Sequence, residues 1–246
     1  MQDDLFSFSR IATIHSCYKE KFGIPRQPGL VASEAYIEMA SEYSQDEAFR
    51  ELESFSHIWI SFIFHGLKYR KDKSWQASVR PPRLGGNKRI GVFASRSMFR
   101  PNPIGLSVVA LKSIERKNNK VVLNIIGGDF LDQTPVLDIK PYIPYSDAIE
   151  NAIAGYAQKK PEPCLEVTFT KPANKQIDSQ SHRYPKLKSL IIEILQLDPR
   201  PAYQKGKIRK NEFAMKLYEF DLVWKMEIEQ IVVTSLSTIV SVNKNE

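Results

Sequence analysis

Residues 104–126, IGLSVVALKSIERKNNKVVLNII, contain two runs of mostly apolar residues that are separated by a short polar stretch. Val, Ile and Leu dominate both runs, 104–115 and 120–126, and β-branched residues favour strands. Residues 116–119, Arg-Lys-Asn-Asn, have the composition of a hairpin connection. The pattern therefore predicts two neighbouring antiparallel strands.

More short strands are predicted on both sides of this hairpin. Residues 6–18, FSFSRIATIHSCY, alternate between apolar and polar side chains, which is the period of a half-buried strand. Residues 46–53 are predicted to form a short helix. Further strands are predicted at residues 56–64, 90–94, 134–141 and 164–170. Because most elements are strands with short connections, an antiparallel sheet closed or curled on itself is favoured over βαβ units.

The last third of the chain has a different composition. Residues 171–183, KPANKQIDSQSHR, are polar and are interpreted as a linker. Beyond them, apolar residues recur at helical spacing from Leu187 to Leu195, and Asp198-Pro199 ends that helix. Two strands are then predicted at 212–220 and 222–234. We expect a mainly β domain over residues 1–170, a linker over 171–183, and a small α+β domain over 184–246.

Composition narrows the class of protein. The chain has 246 residues, of which 42% are hydrophobic and 26% charged, as in ordinary globular domains. With two cysteines it has no disulfide framework, and this usage fits a reducing compartment. The N-terminus lacks the layout of a secretory signal, and the apolar run at 58–64 is too short to span a bilayer. A cytoplasmic protein without a membrane segment is the expectation.

Positive charge is concentrated in one part of the chain. The formal net charge is +7, and no Asp or Glu occurs from Lys73 to Lys112. A stretch of one sign attracts polyanions such as nucleic acids, although many charge runs are only solvated faces. Here Pro, Gly and Asn are interleaved with the charges, which favours a shaped binding loop. The basic residues in the window include Arg80, Arg83, Lys88, Arg89, Arg96 and Arg100.

General catalytic motifs give no assignment. The chain has neither a GxGxxG stretch after a strand nor a Walker A loop. His15 and Cys17 are two residues apart on a predicted strand, but without a CxxC or HExxH motif ordinary packing is favoured over a metal site. No metal is expected.

Four long segments mix backbone-fixing residues with polar groups and resemble a known family. They are 11–30 (IATIHSCYKEKFGIPRQPGL), 93–107 (FASRSMFRPNPIGLS), 127–148 (GGDFLDQTPVLDIKPYIPYSDA) and 198–206 (DPRPAYQKG). They resemble the TrmO family, also called TsaA-like or YaeB, over almost the whole chain. The resemblance implies a single-sheeted β-barrel that binds S-adenosyl-L-methionine (SAM) and a homodimer. It also implies methylation of the exocyclic nitrogen of threonylcarbamoyladenosine, at position 37 beside the tRNA anticodon.

The resemblance also implies which residues contact the cofactor. The family commonly has LDGT where this chain has Gln133 in place of the glycine, and often Thr and Pro where this chain has Ser95 and Met98. If that glycine needs a positive φ, Gln133 is strained or the loop adjusts. The implied cofactor residues are Pro25, Arg26, Gln27, His65, Gly66, Arg96, Leu106, Leu131, Asp132, Gln133 and Thr134.

The chemistry of SAM suggests roles for two of these residues. Asp132 is expected to accept hydrogen bonds from the ribose hydroxyls or the amine of the methionine tail, and Arg96 is expected to pair with the tail carboxylate. A turn-capping role is the alternative for Asp132, and a surface ion pair or a phosphate contact is the alternative for Arg96.

Methyl transfer to an acylated nitrogen calls for a group that takes the nitrogen's proton. His65, Asp138 and Tyr142 are the candidates, in no order, and Asp138 and Tyr142 have equally good structural interpretations. For tRNA, the anticodon stem-loop is expected to meet phosphate-binding residues in both predicted domains. These are Arg80, Arg83, Lys88, Arg89, Arg100, Arg200 and Lys205, with Tyr203 as a stacking residue.

Two other functions remain open at this stage. One is a non-enzymatic RNA-binding β-barrel, which explains the charge but gives no reason for the stretches GIPRQPG and LDQTPVLDIKPY. The other is a hydrolase that uses Asp129, Asp132 and Asp138 as a carboxylate or metal cluster.

Overall fold

The computed structural model describes residues 6–67, 75–84, 88–200, 211–227 and 230–239. Six strands form a closed barrel in which every pairing between neighbours is antiparallel. In barrel order the strands are β1 (Ala12–His15), β2 (Glu34–Met39), β7 (Lys120–Ile126), β6 (Ile104–Lys117), β3 (His57–Ile63) and β8 (Thr134–Pro141). A separate two-stranded sheet consists of β4 (Ser78–Val79) and β5 (Ile90–Gly91). The expectation of a closed antiparallel barrel is confirmed.

The hairpin predicted at residues 104–126 is present. Lys117 of β6 pairs with Lys120 of β7, and the two residues between them, Asn118 and Asn119, have φ of 50° and 61°. Asparagine tolerates positive φ, and a two-residue turn of this kind matches the twist of the strands. Inward side chains such as Ile58 and Ile60 of β3 are fully buried, so the strand alternation fills the barrel.

The C-terminal domain is a four-stranded sheet with two helices. Its strand order is β10-β11-β12-β9, and β9 runs parallel to β12 while the other pairs are antiparallel. The elements are β9 (Glu166–Phe169), α2 (Lys171–Ser179), α3 (Leu187–Leu195), β10 (Glu212–Leu217), β11 (Phe220–Met226) and β12 (Gln230–Thr238). A one-turn helix, α1 (Pro144–Asp147), follows the last barrel strand.

Three sequence interpretations of this domain are wrong. The strand predicted at 164–170 belongs here and not to the first domain, because β9 pairs with β12. The stretch interpreted as a linker forms helix α2, in which Thr170 caps the N-terminus by accepting from Ala173 N. The two strands predicted at 212–220 and 222–234 are three strands.

Three predictions in the first domain also need correction. The strand predicted over 6–18 is limited to β1, and Phe6 and Phe8 are exposed. The helix predicted at 46–53 is two short 3-10 turns, because Glu51 between them has a left-handed φ of 66°. The strand predicted at 90–94 ends after Gly91 and continues as a 3-10 turn.

The chain after β1 joins the two domains. Cys17, Tyr18 and Val31 are buried in the apolar core of the C-terminal domain, and Tyr18 bridges to Leu217 of β10. Ala32 N donates to the Glu193 carboxylate of α3 at 2.7 Å. The segment between β1 and β2 therefore rests on the C-terminal domain. None of the helices in the described ranges is long and apolar enough to cross a membrane.

Candidate functional site

A cleft of about 430 Å³ lies at the end of the barrel where β3 finishes and β6 and β8 begin. Pockets of this size accommodate ligands such as nucleosides and their conjugates. Five segments that are distant in sequence form its walls. They are residues 24–28, residues 62–66, residues 95–100, residues 104–107 and residues 129–134.

The first wall is the proline-containing loop between β1 and β2. Pro25 and Pro28 restrict its backbone, and Gly29 follows with φ of 72°. Gly29 N donates to Gly127 O at 2.8 Å, which holds the end of this loop against the start of the 127–134 segment. Arg26 donates to the carbonyl oxygen of Arg200 at 3.3 Å, so the loop is also fastened to the C-terminal domain.

The walls contributed by the barrel strands are largely apolar. Phe62, Phe64 and Leu106 line the cleft, and Leu106 is 53% exposed because it faces outward. Gly105 faces inward, where a Cβ would overlap the ring of Phe62, so the strand needs glycine there. Trp59 also lines the cleft and donates from Nε1 to Asp147 of α1 at 2.9 Å. These surfaces suit an aromatic or thioether-containing ligand.

The loop 95–100 is folded around its own polar groups. Arg100 donates from Nε to Ser97 O at 2.9 Å and from Nη2 to Ser95 O at 2.5 Å. Arg96 instead donates from Nη1 to the Gln27 side chain at 2.7 Å, across the cleft mouth. Arg100 therefore maintains the loop, whereas Arg96 presents its charge to the cleft.

A partly buried carboxylate lines the cleft. Asp129 follows the paired glycines after β7, and its Oδ1 accepts a hydrogen bond from Ser107 Oγ at 2.7 Å. Burial raises the pKa of Asp129 above its ordinary value, while the Ser107 hydrogen bond and the positive charge of Arg96 act in the opposite direction. A desolvated acid in a cleft is a frequent feature of functional sites.

The structure brings most of the predicted cofactor residues together. Those that line the cleft are Pro25, Arg26, Gln27, His65, Gly66, Arg96, Leu106, Leu131 and Thr134. Asp132 and Gln133 are not among the lining residues. The Asp132 carboxylate accepts from Ser16 N at 3.0 Å and pairs with Lys19 at 2.6 Å.

Gln133 has the positive φ that its place in the family pattern suggested. Its φ is 65°, its backbone N donates to Ile14 O at 2.9 Å, and its side-chain amide lies 3.0 Å from His15 Nδ1. The loop therefore keeps the left-handed conformation that glycine would adopt without strain.

Only one of the three candidate proton acceptors lines the cleft. His65 lies there, with Nδ1 3.4 Å from Thr134 Oγ1. Asp138 forms an ion pair with Lys140 at 2.6 Å. Tyr142 packs against His57 and Trp59, with ring centroids 6.3 and 6.0 Å away, and is not a lining residue.

The carboxylates proposed for a hydrolase do not converge. Asp129 faces the cleft, Asp132 pairs with Lys19, and Asp138 pairs with Lys140. Within the described ranges no group of three or more His, Cys, Asp or Glu side chains is arranged to hold a metal ion.

Arg100, one of the predicted RNA contacts, is bonded within the loop 95–100, and the other predicted contacts divide into three sets. Arg80, Lys88 and Arg89 are exposed, and Arg89 also donates to Ser78 at 2.8 Å. Arg200 is 15% exposed and forms an ion pair with the buried Asp198, so its charge is largely compensated inside the protein. Tyr203, Lys205 and the side chain of Arg83 lie outside the described residues.

Sequence reasoning missed several lining residues. Asp129 entered only in the hydrolase alternative, and Ser107, Trp59 and Lys21 were not considered. The available signal for Asp129 was its position directly after Gly127-Gly128, where a strand ends. Trp59 and Ser107 gave no such signal, because strand alternation alone does not say which end of a barrel is open.

A closed barrel with an apolar cleft and a few converging charges defines a β-barrel protein with a site for a small, partly charged ligand. A family described as "tRNA-methyltransferase O N-terminal domain" matches residues 13–148, and "TrmO C-terminal domain" matches residues 162–239. The chain belongs to the TrmO family.

Individual relatives cover nearly the whole chain. It is 46% identical over 222 residues to the tRNA (adenine(37)-N6)-methyltransferase of Escherichia coli K12, covering 90% of this chain and 93% of the relative. A Pseudomonas aeruginosa relative, 43% identical over 89% of this chain and 91% of its own, has a name that includes the words S-adenosylmethionine-dependent methyltransferase. The crystal structure of TrmO from Pseudomonas aeruginosa superimposes with a TM-score of 0.76 at 34% identity, covering 95% and 100% of the two chains.

Proposed function

We propose that this protein is a SAM-dependent methyltransferase that methylates N6 of adenosine 37 in tRNA. The observation that carries the proposal is the cleft, in which nine cofactor residues implied by the resemblance line one cavity although they come from distant parts of the chain. The family membership and the names of the relatives support the same activity.

The cleft fits the chemistry of SAM. When bound, SAM supplies a methyl group that its sulfonium activates for displacement. Phe62, Phe64 and Leu131 would provide apolar contacts for the nucleoside and the carbon chain, and the loop 24–28 would offer backbone groups to the adenine. Arg96 would pair with the carboxylate of the methionine tail, as the resemblance implies.

We further propose that the substrate adenosine carries the threonylcarbamoyl group. Acylation delocalises the N6 lone pair, so N6 must lose its proton before or during attack on the methyl carbon. Among the three candidates His65 is the proton acceptor we favour, because its ring lines the cleft and its Nδ1 lies near Thr134. His65→Gln is expected to reduce the methylation rate by about 100-fold, within the usual range for general base catalysis.

Binding of the anticodon stem-loop is proposed to use the exposed cations of residues 80–89. Arg80, Lys88 and Arg89 are exposed and lie in the part of the chain that lacks acidic residues. Contacts of this type hold phosphates and position the RNA without reading its sequence. The place of action is proposed to be the cytoplasm, where tRNA and SAM are both present.

Homodimer formation is also proposed. Tyr145, Ile149 and Ile153 are 91%, 76% and 93% exposed within a short segment after β8. The same segment includes Asp147, which accepts the hydrogen bond from Trp59 at the cleft. Because exposed apolar side chains that cluster on a surface mark interaction sites, we expect a second copy to cover this segment beside the cofactor site.

The dimer is tested by light scattering of purified protein after gel filtration. Ile153→Glu is expected to shift the mass from dimer to monomer, since it places a charge in an apolar contact. Glu150→Gln, in the same exposed segment, is the matched control and is expected to leave the dimer intact. A wild-type protein that is monomeric at all concentrations would refute the dimer.

The activity is tested by mass spectrometry of nucleosides from tRNA of a strain that lacks this gene. Incubation with the protein and SAM is expected to add a methyl group, of about 14 Da, to threonylcarbamoyladenosine but not to unmodified transcripts. A methylated adenosine that appears equally in unmodified transcripts would restrict the proposal to adenosine methylation. The absence of any methylated nucleoside would refute the proposed function.

A further inference from the structure

The Asp129 carboxylate destabilises the folded protein because the cleft removes it from water. Burial desolvates its side chain, which lines the same cleft as Phe62 and Leu131, and Ser107, itself buried, donates to Oδ1. Apart from Ser107 and the backbone of Asp129 itself, no described residue donates a hydrogen bond to this carboxylate. A carboxylate in such surroundings binds a cation more strongly than one in water, because little solvent screens the attraction.

The opposite charge is provided by Arg96. Its guanidinium is positioned by Gln27 at 2.7 Å, and it acts electrostatically on Asp129. In the part of the chain that the structure describes, no ion pair joins Arg96 to Asp129. Gln27 orients the positive charge of Arg96, and Ser107 orients the negative charge of Asp129. The two side chains therefore line one cavity with opposite charges.

An opposed carboxylate and guanidinium are the complement of a zwitterion. The methionine tail of SAM carries an α-ammonium and an α-carboxylate on one carbon, whereas its ribose carries only neutral hydroxyls. We propose that Asp129 binds the α-ammonium of the methyl donor, with Ser107 as its positioning residue, while Arg96 binds the α-carboxylate. This inference rests on the proposed function.

The assignment replaces the one that the sequence suggested. Asp132 was expected to meet the ribose or the tail amine, but its carboxylate is already paired with Lys19 at 2.6 Å and with Ser16 N. Asp129 is three residues earlier and faces the cleft. The two acids therefore form a matched pair for an experiment, because both are aspartates of one short loop and only one lines the cavity.

The experiment is calorimetric titration of the full chain with four ligands. SAM has both tail charges and a sulfonium, decarboxylated SAM keeps the ammonium and the sulfonium, and 5′-methylthioadenosine has neither tail charge and a neutral sulfur. S-adenosylhomocysteine keeps both tail charges on a neutral sulfur, so its affinity must fall in Asp129→Asn as that of SAM does if Asp129 binds the ammonium, and unchanged affinity would assign Asp129 to the sulfonium.

Asp129→Asn is expected to lower the affinities for SAM and decarboxylated SAM by about 10- to 100-fold, as for loss of a charged hydrogen bond. The affinity for methylthioadenosine is expected to fall by less than about twofold. Arg96→Gln is expected to weaken SAM but not decarboxylated SAM.

Two further variants complete the design. Ser107→Ala is expected to give a smaller loss for SAM and decarboxylated SAM than Asp129→Asn, because it removes only the group that orients the carboxylate. Asp132→Asn is expected to have a smaller effect than Asp129→Asn on both ligands, since its partner is Lys19. Retained binding of methylthioadenosine shows that each variant is folded.

Several outcomes would overturn the inference. If Asp129→Asn lowers the affinities for SAM and methylthioadenosine equally, Asp129 contacts the nucleoside. If the affinity for decarboxylated SAM is unchanged, Asp129 does not bind the ammonium. If Asp132→Asn causes the larger loss, the sequence-based assignment was right. Failure of the wild-type protein to bind SAM would instead refute the proposed function, so the two failures are distinguishable.

Discussion

The core of the C-terminal domain and the core of the barrel differ in the polar side chains that they contain. The C-terminal core is mainly apolar, with Trp224, Leu217 and Ile191 fully buried, and its buried acid, Asp198, forms an ion pair with Arg200. The barrel core is equally apolar around Ile58 and Ile60, but its open end contains polar side chains, including Ser107 and Asp129. The buried acid of the C-terminal domain is compensated by an ion pair, whereas the acid at the barrel end has no ion pair among the described residues and weakens the fold there.

This difference explains how the cleft can be maintained. The loop 24–28 is held from behind by the C-terminal domain, through Arg26 to Arg200 O, Ala32 N to Glu193, and the burial of Tyr18. Stability lost at the barrel end is compensated by packing elsewhere in the same chain, as is common for binding sites. Substitution of Trp224 in the C-terminal core and of Asp129 at the barrel end should therefore have opposite effects on the free energy of unfolding.

The largest effect is expected in the C-terminal core. Trp224→Ala removes a fully buried indole and should lower the free energy of unfolding by about 4 kcal/mol. Trp224→Phe should cost less, since it keeps an aromatic ring and removes an Nε1 that is buried without a partner among the described residues. Urea titration measures both, with the half-exposed Lys225→Ala in the same strand as control. A small loss in Trp224→Ala would contradict the contrast between the cores.

Acidic pH should weaken cofactor binding at the barrel end. Burial raises the pKa of Asp129, so this carboxylate takes up a proton at a higher pH than an ordinary aspartate and then no longer attracts an ammonium. SAM affinity is expected to fall by about 10- to 100-fold as the pH is lowered through that pKa. The other charged groups that line the cleft are Lys21, Arg26, His65, Arg96 and Arg100.

Calorimetry of SAM binding at a series of pH values tests this expectation. Asp129→Asn should remove most of the dependence on acid, while His65→Gln separates any contribution from the imidazole. A dependence that persists unchanged in Asp129→Asn would show that another group is responsible.

The same substitution should stabilise the protein in the absence of ligand. Since the folded-state pKa of Asp129 is raised, the folded protein binds the proton more readily than the unfolded chain. Protonated Asp129 therefore contributes its full stabilisation at pH values below its pKa in the unfolded chain. This contribution is lost as the pH rises through its pKa in the folded protein. Asp129→Asn should raise the free energy of unfolding by about 1 kcal/mol at neutral pH. Equal or lower stability at neutral pH would argue against a desolvated carboxylate.

The smallest effect is expected at Gln133. Gln133→Gly removes a left-handed strain but adds backbone entropy to the unfolded chain, so a net gain of about 0.5 kcal/mol is expected. Thermal unfolding measures it, and Gln133→Ala, which keeps the strain without the contact to His15, is the control. A loss of stability in Gln133→Gly would mean that the contact with His15 outweighs the strain.

Much of the fold was predictable because it depends on local patterns. The hairpin at 104–126, the strand at 134–141 and helix α3 follow from residue alternation, turn residues and helical spacing, and all three are present. The resemblance identified the family, and nine of the eleven cofactor residues that it implied line the cleft.

Other features depend on contacts between distant residues. Strand β9 could not be assigned to its domain from residues 164–170, because its partner β12 is more than 60 residues away in sequence. The role of Arg200 depends on Asp198, whose burial results from the packing of the whole domain. A basic residue in a basic segment gives no sign that its charge is already compensated.

The amino-acid sequence by itself determined the barrel strands, their hairpin and the family to which the chain belongs, since periodicity and turn chemistry act over a few residues. Only the tertiary structure decided which acid of the loop 127–134 faces the cleft. In a strand, alternate residues share a face, but this loop is irregular and its side-chain directions are set by hydrogen bonds to other segments. Ser107 Oγ binds Asp129, and Lys19 binds Asp132.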